Sequence, residues 1–161
     1  MSLQRGYTYL LVLFIVALLG ASLPIAGEMW ATAKQREREA DLLIAGDAIR
    51  RAIASYYTSG PAQYPPKLED LIKDPRFPEV RRHLRQLYTD PFSGTTEWVL
   101  INSPRGGIMG VASASEDAPL KRTGFQGADQ VFEAQALRLK DKLRYRDYEF
   151  IYDPAMGRVV R

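Results

Sequence analysis

The side chains that most often perform chemistry are scarce in this chain of 161 residues. His83 is the only histidine and there is no cysteine. A Ser-His-Asp site would therefore depend wholly on His83, and disulfides and thiolate metal sites are excluded. The residues around His83 are typical of a helix surface or the edge of a core rather than of a catalytic site. The sequence therefore predicts that the protein is not an enzyme.

Two other groups of residues match ligand sites only in part. The glycines between 106 and 110 lack the Lys-Ser/Thr pair of a phosphate-binding loop. Glu116 and Asp117, close to Ser113 and Ser115, offer the oxygen ligands that suit calcium. The Asp-Gly-rich spacing of a calcium loop is missing, so a solvated acidic turn is the favoured interpretation. We predict no metal and no cofactor.

The charge balance gives little indication of a nucleic-acid partner. The net charge is +3, from 22 basic and 19 acidic residues that are interspersed along the chain. A basic cluster between Arg138 and Arg146 is more typical of a solvated surface than of a lipid or partner contact. We predict no nucleic-acid binding.

The strongest feature of the sequence is an apolar stretch near its start, Tyr7–Gly27, which has no charge between Arg5 and Glu28. A helix of this length rises about 30 Å, which matches the hydrocarbon thickness of a bilayer. The stretch therefore predicts a transmembrane helix, with a cleaved secretory signal as the alternative.

Small residues and one proline recur within this stretch at steps of three and four, which places them on one face of a helix. Small residues let helices approach closely in an apolar assembly, although they also occur by chance in apolar runs. This stripe consists of Ala17, Gly20, Pro24, Gly27 and Ala31. The candidate assembly positions of the helix are Leu11, Ala17, Gly20, Pro24 and Gly27.

The pattern turns amphipathic after Glu28, and Thr58-Ser59-Gly60-Pro61 ends it. We predict one continuous helix to Thr58, with a division near Pro24 or Gly27 as the alternative. Apolar residues with helical spacing predict its buried face: Leu42, Ala45, Ile49, Ala52, Ile53 and Tyr56.

The remaining residues predict a small domain of short elements. A short helix follows Tyr64-Pro65-Pro66, and Asp90–Gly94 is a turn. Further helices are predicted at Pro78–Leu87 and Val131–Leu143, and strands at Glu97–Ile101, Gly107–Ala112, Tyr148–Tyr152 and Arg158–Val160. The fold class is therefore α+β, with the long helix packed on a small, four-stranded antiparallel sheet whose strand order is open.

The amino terminus resembles that of type IV pilin-like proteins. Gly6-Tyr7-Thr8, with Arg5 just before it and the apolar helix just after, carries this resemblance. It implies a leader at residues 1–6, removed by a prepilin peptidase between Gly6 and Tyr7, and N-methylation of Tyr7. Two positions depart from the family: Tyr7 stands where Phe is usual, and Leu11 stands where Glu is usual.

The order of the later motifs is similar to that of the major pseudopilins of type II secretion. The long helix, then Tyr64-Pro65 before a Leu-rich helix, then Asp90–Gly94 and short strands carry the likeness through about Gly110. It implies a type IV pilin-like fold and a filament subunit of a type II secretion or type IV pilus-like system. Implied partners are the prepilin peptidase, other pseudopilin subunits, an inner-membrane assembly platform and membrane lipid.

The expected organisation is a leader at 1–6, a transmembrane and assembly helix at 7–27, its amphipathic continuation at 28–58 and a globular domain at 59–161. Only the resemblance places that domain in the periplasm, outside a bacterial inner membrane, because Lys34, Arg36 and Arg38 oppose the positive-inside rule. The alternative function is an anchored or secreted periplasmic binding domain with a classical signal peptide, which is either cut near Ala26 or Ala31–Ala33 or left uncut.

Overall fold

The computed structural model describes residues 4–155, apart from the side chains at 4–6, 19–28 and 128. The chain divides after Glu37 into two compact units, each described by itself. Helix α1, Gln4–Thr58, supplies most of the first unit and the first element of the second. Its end at Thr58 confirms the predicted stop.

The predicted buried face of α1 is correct. All six apolar residues from Leu42 to Tyr56 that recur at helical spacing are buried in one hydrophobic cluster. On this face Gly46 lies against the ring of Phe150, and a Cβ added at Gly46 would be 2.4 Å from that ring. Gly46 therefore permits the close approach that seats the helix on the sheet.

The sheet has three antiparallel strands in the described residues: β1 Val99–Asn102, β2 Ile108–Ala112 and β3 Phe150–Ile151, in the order β1-β2-β3. Three predicted strands are thus confirmed in position, although each is shorter than expected. The predicted fourth strand, Arg158–Val160, lies outside the described residues. The fold class is α+β, a long amino-terminal helix packed on a small antiparallel sheet.

Two of the predicted short helices are confirmed in part. A 3-10 turn, Leu68–Leu71, follows the Tyr-Pro-Pro segment and buries both leucines. Helix α2 spans Val131–Leu139 rather than reaching Leu143, because Lys140 has a positive φ of 49° and a 3-10 turn, Lys140–Lys142, follows.

The helix predicted at Pro78–Leu87 is wrong. Within this segment the backbone amides of His83 and Leu84 both donate to the carbonyl of Leu71, each at 2.8 Å. The Asp74 amide similarly donates to the Arg81 carbonyl at 3.0 Å. These longer-range hydrogen bonds satisfy backbone groups that a helix would otherwise pair locally, so the segment is held as an extended loop.

We predict that Ile49→Ala lowers the free energy of unfolding by about 2–5 kcal/mol, because Ile49 is fully buried beneath the sheet. The control is Ile44→Ala on the exposed face of the same helix, where a change within about 0.5 kcal/mol is expected. Urea unfolding of a chain that begins at Ala33, which we expect to fold as a monomer, measures both. Equal losses at the two positions would contradict this assignment of the buried face.

Candidate functional site: the apolar segment of the long helix

The apolar segment, residues 7–27, begins with exposed apolar side chains. Between Tyr7 and Leu18 the large apolar side chains are 47–74% exposed. More than three helical turns are covered, so apolar groups point in every direction around α1. A surface of this kind needs an apolar environment or a set of neighbours.

The predicted site residues lie along this segment. Tyr7 is exposed at its start, Leu11 is 48% exposed one turn later, and Ala17 is exposed. At Gly6, Gly20, Pro24 and Gly27 the structure describes only the helical backbone. Their stripe of small residues therefore stays a prediction.

A search of the described residues for a helix with the length and hydropathy needed to cross a bilayer finds none.

The globular unit contains a polar cluster that sequence reasoning missed, formed where α1 ends. Asp74 is fully buried and accepts hydrogen bonds from Arg76 Nε at 2.9 Å and Nη2 at 2.6 Å. His83 Nε2 lies 3.1 Å from the same carboxylate, and its Nδ1 lies 2.8 Å from Ser55 Oγ. Because the ionised carboxylate only accepts, Nε2 of His83 donates to Asp74, while Nδ1 and Ser55 Oγ share the second hydrogen bond. We call these four residues the helix-end cluster.

The helix-end cluster has the residue types of a hydrolytic triad, but its geometry fits a structural role. The Asp74 carboxylate is shared with Arg76, and the His83 side chain is only 1% exposed. Ser55 lies in the last turn of α1, where the helix dipole is negative and would oppose a developing oxyanion.

Arg76 gives the helix-end cluster its structural function. Its Nη2 donates to the carbonyl of Tyr56 at 2.8 Å, which satisfies one of the backbone acceptors left open at a helix end. The guanidinium also lies 3.5 Å from the centre of the Tyr56 ring. Gly60 leaves room for it, since a Cβ there would be 2.6 Å from Arg76 Nη1. The cluster therefore fastens the loop after Ile72 to the end of α1.

Two more buried carboxylates fix loops in the same unit. Asp90, in the predicted turn, accepts from Ser113 Oγ at 2.8 Å and from the Phe92 amide at 3.0 Å. Glu39 on α1 accepts from the Lys121 amide at 2.9 Å. Burial raises the pKa of the Tyr148 phenol, whose hydroxyl donates to the Lys121 carbonyl at 2.6 Å. These two carboxylates thus satisfy backbone and hydroxyl donors inside the globular unit.

The acidic turn near Ser113 has a different arrangement from a metal site. Glu116 forms an ion pair with Arg146, and the Asp117 carbonyl accepts from the Tyr145 amide. Among the residues that the structure describes, no group of three or more carboxylate or histidine side chains is placed to hold a metal ion.

Comparisons of the chain with protein-family models, with curated proteins and with solved structures return no match.

We predict that the protein loses stability as the pH is lowered, and that protonation of Asp74 causes part of this loss. The Arg76 guanidinium beside it holds the pKa of the Asp74 carboxyl well below its usual range, against the opposing effect of burial. A carboxyl group whose pKa is lower in the folded state than in the unfolded state stabilises the fold. The contribution is complete at a pH above the unfolded-state pKa of about 3.9, and it is lost as the pH falls below that value. Urea unfolding from about pH 6 to about pH 3 should therefore show a smaller decline in Asp74→Asn than in the unaltered chain.

At neutral pH, Asp74→Asn should also cost about 1.5–3 kcal/mol, because it removes hydrogen bonds to a charged group. The control is Asp141→Asn, since the Asp141 side chain is 98% exposed. If Asp74→Asn and Asp141→Asn gave the same pH profile, the helix-end cluster would not be a source of stability.

Proposed function

We propose that this chain is a pilin-like structural subunit, a pseudopilin, of a type II secretion or type IV pilus-like filament. It is made as a single-pass precursor in a bacterial inner membrane, with the domain after Thr58 in the periplasm. A prepilin peptidase cuts after Gly6, and Tyr7 becomes the N-methylated first residue. The observation that carries the proposal is the exposed apolar segment at the start of the same helix whose later turns form the core of an α+β domain.

The proposed mechanism is transfer of the apolar segment from lipid into a bundle of equivalent helices. Lipid and bundle are similarly apolar, so the transfer needs little net hydrophobic gain, and close packing of small residues decides the affinity. The face that carries Ala17, Gly20, Pro24 and Gly27 would supply that packing. Prepilin peptidase, other subunits, the assembly platform and membrane lipid are the partners.

The role is non-enzymatic, and the disposition of the polar side chains supports this part of the proposal. His83, the only histidine in the sequence, is held between Ser55 and Asp74. The buried carboxylates Asp74, Asp90 and Glu39 are each engaged with donors of the fold itself.

One observation favours the alternative, an anchored or secreted binding domain. A groove of about 770 Å³ lies between the end of α1 and the β1–β2 hairpin, with Tyr57, Tyr64, Arg105 and Asp153 in its lining. Aromatic faces with a few charged groups are the composition of many ligand grooves. In this alternative a signal peptidase cuts near Ala26 or Ala33, or the uncut segment anchors the domain, and the filament is absent.

The mature amino terminus separates the two functions. Gly6→Leu should leave a full-length precursor in the membrane, because a bulky residue should not fit the peptidase at the cut. The matched variant Ala33→Leu alters an exposed residue of α1 at the alternative signal-peptidase site and should leave processing intact. Mass spectrometry of the purified chain reads both. Normal trimming of Gly6→Leu together with a block in Ala33→Leu would replace our proposal with the alternative.

A subunit with Leu11 should join the filament without a charge contact between position 11 and a neighbouring subunit. A Glu in an apolar bundle is costly unless it meets a positive partner, which in the resembled family is the amino terminus of a neighbour. Leu11 removes both the cost and the attraction, so Leu11→Glu should be tolerated only where such an amino terminus lies within reach.

If the filament keeps the subunit register usual in the resembled family, a photo-cross-linker at position 11 should capture the first residues of another subunit in assembled filaments. The same probe at Leu137, which is exposed on α2 of the globular unit, should not capture those residues. Capture of lipid alone at position 11, where filaments are present, would eliminate a filament role.

A further inference from the structure

Aromatic side chains bracket the apolar segment of α1. Tyr7 and Tyr9 stand exposed at its start, and Met29 and Trp30 stand exposed just beyond its end, with Trp30 at 80%. Tyrosine and tryptophan rings have an apolar body and a polar edge, so they favour the boundary between hydrocarbon and water. Exposed rings at both ends of an apolar helix are therefore in the positions that two membrane boundaries would require.

The separation of these rings matches a bilayer. From Tyr9 to Trp30 the helix advances by 21 residues, which is about 31 Å at 1.5 Å per residue. The hydrocarbon core of a typical bilayer is about 30 Å thick. One orientation of the helix thus places Tyr9 at one boundary and Trp30 at the other.

Two basic side chains follow Trp30 at the depth of lipid headgroups. Lys34 lies one turn beyond Trp30 on the same side of the helix, and Arg36 follows; both are exposed. Along the axis they are about 6 Å and about 9 Å past Trp30, and their long side chains can reach back toward the headgroup layer. Two acidic residues are near: Glu28, two residues before Trp30, and Glu37, which lies further from that layer than Lys34 and Arg36. In this orientation Lys34 and Arg36 lie within reach of lipid phosphates.

We propose that Trp30, Lys34 and Arg36 form an interfacial anchor that binds phospholipid headgroups and fixes the depth of α1 on the side of the globular domain. This inference rests on the proposed function, because it requires the apolar segment to span the membrane. The anchor also explains why basic residues oppose the positive-inside rule here. Lys34 and Arg36 hold the helix at the outer headgroups and do not set its orientation.

The depth of Trp30 can be measured by its fluorescence in the full chain. The chain is reconstituted in phosphatidylcholine and phosphatidylglycerol vesicles that carry bromine either near the headgroup or at the chain ends. Trp98, the only other tryptophan, is buried in the globular unit, so the Trp30→Phe variant supplies its signal for subtraction. Trp30 should be quenched mainly by the shallow bromine.

A second probe tests insertion separately from the anchor. In Trp30→Phe/Leu18→Trp the new tryptophan lies near the middle of the apolar segment and should be quenched mainly by the deep bromine. Quenching at position 18 without quenching at Trp30 overturns the anchor and leaves the membrane-spanning proposal intact. Absence of quenching at both positions overturns the anchor and the proposed membrane precursor together.

The headgroup contact is tested by lipid preference. Brominated phosphatidylglycerol at equal mole fraction should quench Trp30 more than brominated phosphatidylcholine does, because Lys34 and Arg36 attract anionic lipid. Lys34→Gln/Arg36→Gln should lower this enrichment, by up to roughly fivefold for each charge removed. The control Arg82→Gln/Arg85→Gln removes the same charge from exposed positions in the globular unit and should leave it unchanged.

Two results would refute the headgroup contact. One is an enrichment that persists in Lys34→Gln/Arg36→Gln. The other is a Trp30 shielded from both brominated lipid and a water-soluble quencher, which would identify a protein neighbour as the occupant.

Discussion

The globular unit depends on the burial of a single helical stripe. The inward-facing residues from Leu42 to Tyr56 share one hydrophobic cluster with the sheet, with Phe132 and with Leu71 of the following 3-10 turn. Gly46 sets how closely α1 can approach β3, since any side chain there would displace the Phe150 ring. Because these contacts are to a helix that continues toward the amino terminus, the same element that organises the core also carries the apolar segment.

The helix-end cluster also stabilises the carboxyl end of helix α1 and so fixes the residue at which the helix stops. A helix terminus leaves carbonyls without partners, and Arg76 reaches one of them only because the buried Asp74 holds its guanidinium. His83 then links the same carboxylate to Ser55, the residue before Tyr56 on α1. A positive charge at the negative end of a helix is stabilising, so the Arg76 guanidinium adds helix capping to the ion pair and the loop contacts of the same network.

The elements that the sequence predicted well are those whose signal lies in neighbouring residues, such as a helical repeat of apolar side chains or a turn motif. The spacing from Leu42 to Tyr56 identified the buried face, and β-rich runs located β1, β2 and β3. Pro78–Leu87 failed because its apolar spacing suits a helix, whereas its backbone bonds to Leu71 and Asp74 are set by tertiary contacts. The helix-end cluster was not predictable for the same reason: Ser55, Asp74 and His83 are far apart in the chain, and no local pattern joins them.

Exposing the apolar segment to water carries a large free-energy cost. Burying one large apolar side chain contributes about 1.5–3 kcal/mol, and from Tyr7 to Leu18 these side chains remain about half exposed or more. Leaving them in water therefore forgoes on the order of 10 kcal/mol, which is comparable to the whole stability of a typical domain. In the proposed function two environments remove this cost, lipid and a helical bundle, and they are nearly equal in apolar character. Small terms must then decide between them. Lys34 and Arg36 favour lipid by binding headgroups, whereas close packing favours the bundle, and Leu11 spares the chain the cost of a charge in either environment.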